Sequence, residues 1–131
     1  MSPMIGFVAA VASTVGFLVA VVVTGVKGRI TVHIPCVLAT LLSLSAAIWF
    51  ALELGTVYDL STAGAITPIH KLIAKLATAS YLLPIVTGIR TLRSSEHRRL
   101  HFACAMVALV LTASATVTGT LMLLWSTKLV P

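Results

Sequence analysis

Charge is what this sequence has least of. Only 9% of its 131 residues are Asp, Glu, Lys or Arg, against about 25% in an average soluble domain. Acidic residues are scarcer still, three against nine basic ones. With 59% of residues hydrophobic, the chain carries more apolar surface than a soluble domain could hide, so lipid must be the solvent for most of it. Linkers rich in Pro, Gly and Ser are missing, which leaves no boundary for a separate soluble domain. Two cysteines allow one disulfide at most. Aromatics make up 6%, and no basic stripe interleaves with them, so the net charge of +6 does not point to nucleic acid. Also absent are a G-x-S-x-G turn, a phosphate loop, a C-x-x-C pair and an H-E-x-x-H helix. Glu53 and Asp59 form no obvious catalytic pair. Nothing here argues for an enzyme on its own. The opening Met1-Ser2-Pro3-Met4 has no basic region, so the first apolar run is expected to be a retained span and not a signal peptide.

What is present is four apolar runs. They cover roughly Ile5 to Val26, His33 to Leu54, Pro68 to Ile89 and Leu100 to Trp125, each near the ~20 residues that cross a bilayer. Pro84 is expected to kink the third. Lys27 and Arg29 follow the first run, and Arg90, Arg93, Arg98 and Arg99 follow the third. By the positive-inside rule these turns are cytoplasmic and both termini lie outside, with Trp49, Tyr58 and Trp125 near the outer ends. The cytoplasmic side keeps thiols reduced. Small residues mark expected contact faces: Gly6, Ser13, Gly16, Ala20 and Thr24 in the first run, Cys104, Ala108, Thr112, Ala115 and Gly119 in the fourth. The expected fold is an all-α membrane protein, a single domain of four antiparallel transmembrane helices.

The runs contain a repeat. Val22-Val23-Thr24-Gly25-Val26-Lys27 is followed five residues later by His33-Ile34-Pro35-Cys36. Ile85-Val86-Thr87-Gly88-Ile89-Arg90 is followed ten residues later by His101-Phe102-Ala103-Cys104. The copies differ in their turns, where insertions are easiest to accept. The pattern predicts two repeated helical hairpins, with His33 and His101 at one depth. Two imidazoles so placed can fill both axial positions of one haem iron, a site that carries electrons and leaves no open position for oxygen. Arg90, Arg98 and Arg99 suit the haem propionates. The simpler alternative is a pair of interfacial histidines, since helix ends are the cheapest place for ionisable groups.

Cys36 and Cys104 lie three residues after their histidines, on the same faces. They line the pocket as small apolar groups; a tetrahedral His2Cys2 zinc or copper site is the alternative. His97 is a turn residue and a reserve ligand. His70 opens the third run, ~30 Å from the other two. It reads first as an interfacial cap; with Lys71, Lys75 and Asp59 it could instead form a quinone or proton site. The first run has Phe7 at the equivalent repeat position, so no second histidine pair arises within one chain.

His33 with Pro35, His70-Lys71, Arg98-Arg99 leading to His101, and Thr118-Gly119 together resemble the small membrane b-type cytochromes, in particular the four-helix core of the cytochrome b-561-like group. The resemblance covers roughly residues 22 to 124. It implies haem b, histidine ligands on different helices and, in that family, commonly two haems. The expected function is electron transfer by one haem b between His33 and His101, in a small subunit of a larger membrane oxidoreductase. The expected setting is a bacterial inner membrane, with other membrane subunits or further copies of the chain as partners. A cofactor-free accessory subunit is the alternative. A small oligomeric transporter is a further one, although it would want a carboxylate deep within a span.

Overall fold

The computed structural model describes residues 2–129. The chain divides into two compact units, residues 2–59 with 128–129, and residues 60–127.

The first unit is a pair of long helices. Helix α1 (Pro3–Val26) begins where the Ser2 side chain accepts from the Ile5 N–H at 3.4 Å, with Pro3 at the position that needs no donor. It ends at Gly28, whose φ of +66° only glycine adopts cheaply. The Arg29 N–H then reaches the Thr24 carbonyl at 2.9 Å and the Gly28 N–H reaches Gly25 at 3.2 Å, the paired bonds that close a helix end. Because that turn is so tight, α2 (Ile30–Leu54) starts three residues before His33, the expected first residue. His33 therefore sits within the helix. α1 packs on α2. The Phe50 ring lies over Gly6, where an added Cβ would stand 2.5 Å from it. Thr14 Oγ1 meets Ser43 Oγ at 3.0 Å. Strand β1 (Tyr58–Asp59) follows, and the Leu129 N–H returns to this unit, donating to the Val57 carbonyl at 2.9 Å.

The second unit opens with a 3₁₀ turn, Leu60–Ala63, and Gly64 at φ +66°. Helices α3 (Ile66–Ser80) and α4 (Leu82–Arg93) replace the single third helix expected from the sequence. The break falls at Tyr81, three residues before Pro84. Proline has no N–H for the Ser80 carbonyl, and its ring crowds that carbonyl, so the kink expected from Pro84 appears one turn upstream. A second 3₁₀ turn, Ser95–His97, leads into α5 (Arg98–Trp125), followed by β2 (Thr127–Lys128). Both α3 and α4 pack on α5, and Tyr81 Oη meets Thr112 Oγ1 at 3.0 Å.

Four helical stretches are long and apolar enough to cross a membrane: Pro3–Val26, Ile30–Leu54, Ile66–Arg93 and Ser95–Trp125. No more than 22% of any stretch's most apolar window is buried, so the apolar side chains face outward. The buried positions are mostly alanine and threonine, as expected where lipid removes any drive to hide leucine and small residues let helices approach. Buried hydroxyls such as Thr14, Thr40 and Thr112 donate to a carbonyl one turn back. Among the described residues no buried side-chain polar atom lacks a partner.

The expected small face of α5 holds, with Ala108, Thr112 and Gly119 buried. That of α1 holds only in part. Gly6 and Thr24 are buried, but Ser13 and Gly16 are exposed, and Ala10 and Thr14 take their place. The Thr14 to Ser43 bond fixes that side toward α2.

Candidate functional site: three seated imidazoles

His33 turns its ring from α2 toward α1. Its Nδ1 lies 3.2 Å from Thr24 Oγ1 and 3.0 Å from the Val21 carbonyl oxygen. The Thr24 hydroxyl gives its own proton to the Ala20 carbonyl at 2.7 Å. A carbonyl only accepts, and a hydroxyl whose proton is committed can only accept. The imidazole must therefore donate, so Nδ1 carries the proton and Nε2 the lone pair.

His101 repeats the arrangement between α5 and α4. Its Nδ1 is 3.2 Å from Thr87 Oγ1, whose proton goes to the Leu83 carbonyl at 2.7 Å. His70 repeats it a third time, between α3 and α5. Its Nδ1 is 3.0 Å from Thr118 Oγ1, whose proton goes to the Ser114 carbonyl at 2.8 Å. The backbone at Ala115 also hydrogen-bonds this ring. All three histidines thus turn Nδ1 to a threonine hydroxyl that spends its proton on its own helix, which favours the tautomer in which an imidazole can bind a metal through Nε2.

The residue after each threonine is glycine, and it is there for contact. A Cβ added at Gly25 would stand 3.1 Å from His33 Cε1, at Gly88 3.2 Å from His101 Cε1, and at Gly119 2.8 Å from His70 Cε1. Each ring lies against bare helix backbone. The sequence contains three Thr-Gly pairs, each preceded by valine, and each receives a histidine. Two of them were visible in the repeat. The role of the hydroxyl was not, because it depends on which helices pair and in what register. The signal that could have found it is the match of Thr-Gly to histidine, three for three.

His70 was expected first as an interfacial cap, and the structure corrects this. α3 begins at Ile66, four residues earlier, and its N-cap Ala65 makes no side-chain capping bond. The ring turns inward onto α5. Lys71 and Lys75 are exposed on α3, and Asp59 belongs to the first unit. His97 closes the 3₁₀ turn before α5 and sits in no such seat.

Arg90, Arg98 and Arg99 are exposed. Arg98 and Arg99 line an open depression of about 550 Å³ with Ser95, Glu96 and Phe102, next in sequence to His101. Arg90 and Arg93 lie in the last turn of α4, where cations also suit the helix dipole. Cys36 and Cys104 are half-buried free thiols. Among the described residues no three His, Cys, Asp or Glu side chains gather as a metal site would require.

Neither a protein-family model, nor a curated protein, nor a solved structure matches this chain.

Proposed function

We propose that the chain is an electron-transfer protein that holds one haem b between His33 and His101, and that it serves as a small subunit of a larger membrane oxidoreductase. The observation that carries this reading is the like seating of the two rings: Nδ1 against the threonine hydroxyl of a Val-Thr-Gly stretch and the Cε1 edge on its glycine. Ligating histidines commonly donate their second nitrogen to such an acceptor, which fixes the ring and raises its basicity. Contacts of residues 6 with 50, 14 with 43 and 24 with 33 support an antiparallel first hairpin. Those of 70 with 118, 81 with 112 and 87 with 101 support a second built the same way. In this reading both termini face outward and both basic turns are cytoplasmic.

Haem, when bound, supplies a one-electron couple whose potential its ligands and surroundings tune. The chain's part is to fix two imidazoles by their Nδ1 bonds, each ring seated against a glycine. Arg90, Arg98 and Arg99 would pair with the haem propionates. Cys36 and Cys104, about one turn deeper, line the pocket. The wide apolar exposure of every span also fits the alternative of a cofactor-free packing subunit, and one experiment separates the two.

Protein purified from haem-replete cells should show the split visible bands of low-spin haem on reduction. His33→Ala and His101→Ala should each remove one haem per chain, whereas Cys36→Ser and Cys104→Ser should remove none. A colourless wild-type preparation, or full haem content in either histidine variant, would sink the reading.

A further inference from the structure

The two repeat copies differ in the length of their basic turns. Ten residues separate Arg90 from His101, against five between Lys27 and His33. The shorter turn closes on itself, with Gly28 at positive φ and the Ile30 N–H on the Gly28 carbonyl at 3.0 Å. The longer one is built differently. Ser94 is extended, its N–H donates to the Arg90 carbonyl at 3.0 Å, and its hydroxyl accepts from the Glu96 N–H at 3.4 Å. The 3₁₀ turn Ser95–His97 then fills the gap before α5. The result is the open depression of about 550 Å³ lined by Ser95, Glu96, Arg98, Arg99 and Phe102, within the size range of small-molecule sites. All five lining residues are exposed. His101 is not among the walls; its ring turns to Thr87 on α4. The depression lies where two apolar stretches meet, Ile66–Arg93 and Ser95–Trp125. Whichever way the chain faces, hydrocarbon gives way to lipid headgroups at that level.

We propose that this depression binds the headgroup of an ethanolamine phospholipid. Such a headgroup carries a phosphate and, across a two-carbon link, a primary ammonium. The lining offers a partner for each. The Arg99 guanidinium suits two phosphate oxygens at once, and the Ser95 hydroxyl adds a donor. The Glu96 carboxylate, three residues before Arg99, takes the ammonium, which brings three N–H donors. Phe102 stands one helical turn after Arg99, further into the span. Its ring is 56% exposed and meets the first carbons of the acyl chains. An anionic headgroup without an ammonium would leave Glu96 beside negative charge, and a choline headgroup gives Glu96 no N–H. The site needs no haem. A guanidinium has five N–H donors, so an arginine that also meets a propionate keeps donors for a phosphate.

The test is native mass spectrometry of the detergent-solubilised protein with added phosphatidylethanolamine, phosphatidylcholine or phosphatidylglycerol, counting the lipids retained per chain. Wild type should retain one phosphatidylethanolamine, preferred about tenfold or more over phosphatidylcholine, the ratio that one charged hydrogen bond gives. Glu96→Gln should erase that preference, and Arg99→Gln should lose both lipids. Lys27→Gln, an equal change of charge in the other basic turn, should alter neither. All three substitutions fall on exposed residues, where the fold is not at stake. Equal retention of the ethanolamine and choline lipids by wild type, or a stronger hold on phosphatidylglycerol, overturns the proposal. So does the same loss in Lys27→Gln, which marks a general attraction of basic turns to the membrane surface. If O-phosphoethanolamine, which has no acyl chains, displaces the lipid at equal concentration, the site takes a soluble phosphoester and the lipid is overturned as its occupant. Haem counted in the same samples keeps the two readings apart. A colourless wild type that still prefers phosphatidylethanolamine leaves this site standing while the haem falls, and a haem-loaded wild type without that preference does the reverse.

Discussion

The smallest functional unit here is a hydroxyl that cannot donate. Thr24, Thr87 and Thr118 each send their one proton back to their own helix, and so each decides the tautomer of a histidine on another helix. Removing the hydroxyl without changing shape isolates that effect. Thr87→Val should leave haem bound, because His101 keeps its glycine seat. The imidazole becomes less basic and stabilises ferric iron less, so the midpoint potential rises. A net hydrogen bond of about 0.5–1.5 kcal/mol corresponds to roughly 20–65 mV for one electron. Potentiometric titration reads this directly, and an unchanged potential would show that the threonine does not act through the ring.

At the scale of the helix, the glycines divide into two kinds. Gly119 is covered by His70, whereas Gly16 has nothing within 4 Å of where a Cβ would be. Gly16→Ala should raise thermal stability in detergent by about 0.5–1 kcal/mol, the ordinary gain of alanine over glycine inside a helix. Gly119→Ala should lower it, because the added carbon would stand 2.8 Å from a ring pinned by Thr118. Equal shifts in two thermal melts would refute the packing described. The same contrast shows what a sequence reveals. The four apolar stretches were legible because length and hydropathy are properties of one segment. So were the kink from Pro84 and the small face through Ala108, Thr112 and Gly119. Two things were not legible. The α1 face was misplaced by one position because Thr14, and not Ser13, meets Ser43. The inward turn of His70 was missed because it depends on α3 starting at Ile66 and on its register with α5. Both depend on which residues of two helices come level, and the periodicity of one helix does not contain that.

The whole molecule is written for lipid: alanine and threonine within, leucine, valine and isoleucine without. The proposed orientation rests on Lys27 and Arg29 in one turn and on Arg90, Arg93, Arg98 and Arg99 around another. Reporter fusions at residues 28 and 95 should read cytoplasmic and a fusion at residue 60 external; the reverse would overturn the proposed orientation. The return of Leu129 to Val57 has a consequence in time. Residues 2–59 are made first, yet their unit includes residues 128–129. The bond from Leu129 to the Val57 carbonyl spans 72 residues of chain, which at about 5–20 residues per second is roughly 4–14 s of synthesis. The unit that leaves the ribosome first is therefore the last to be finished, and it waits for its final backbone bond while the other is built.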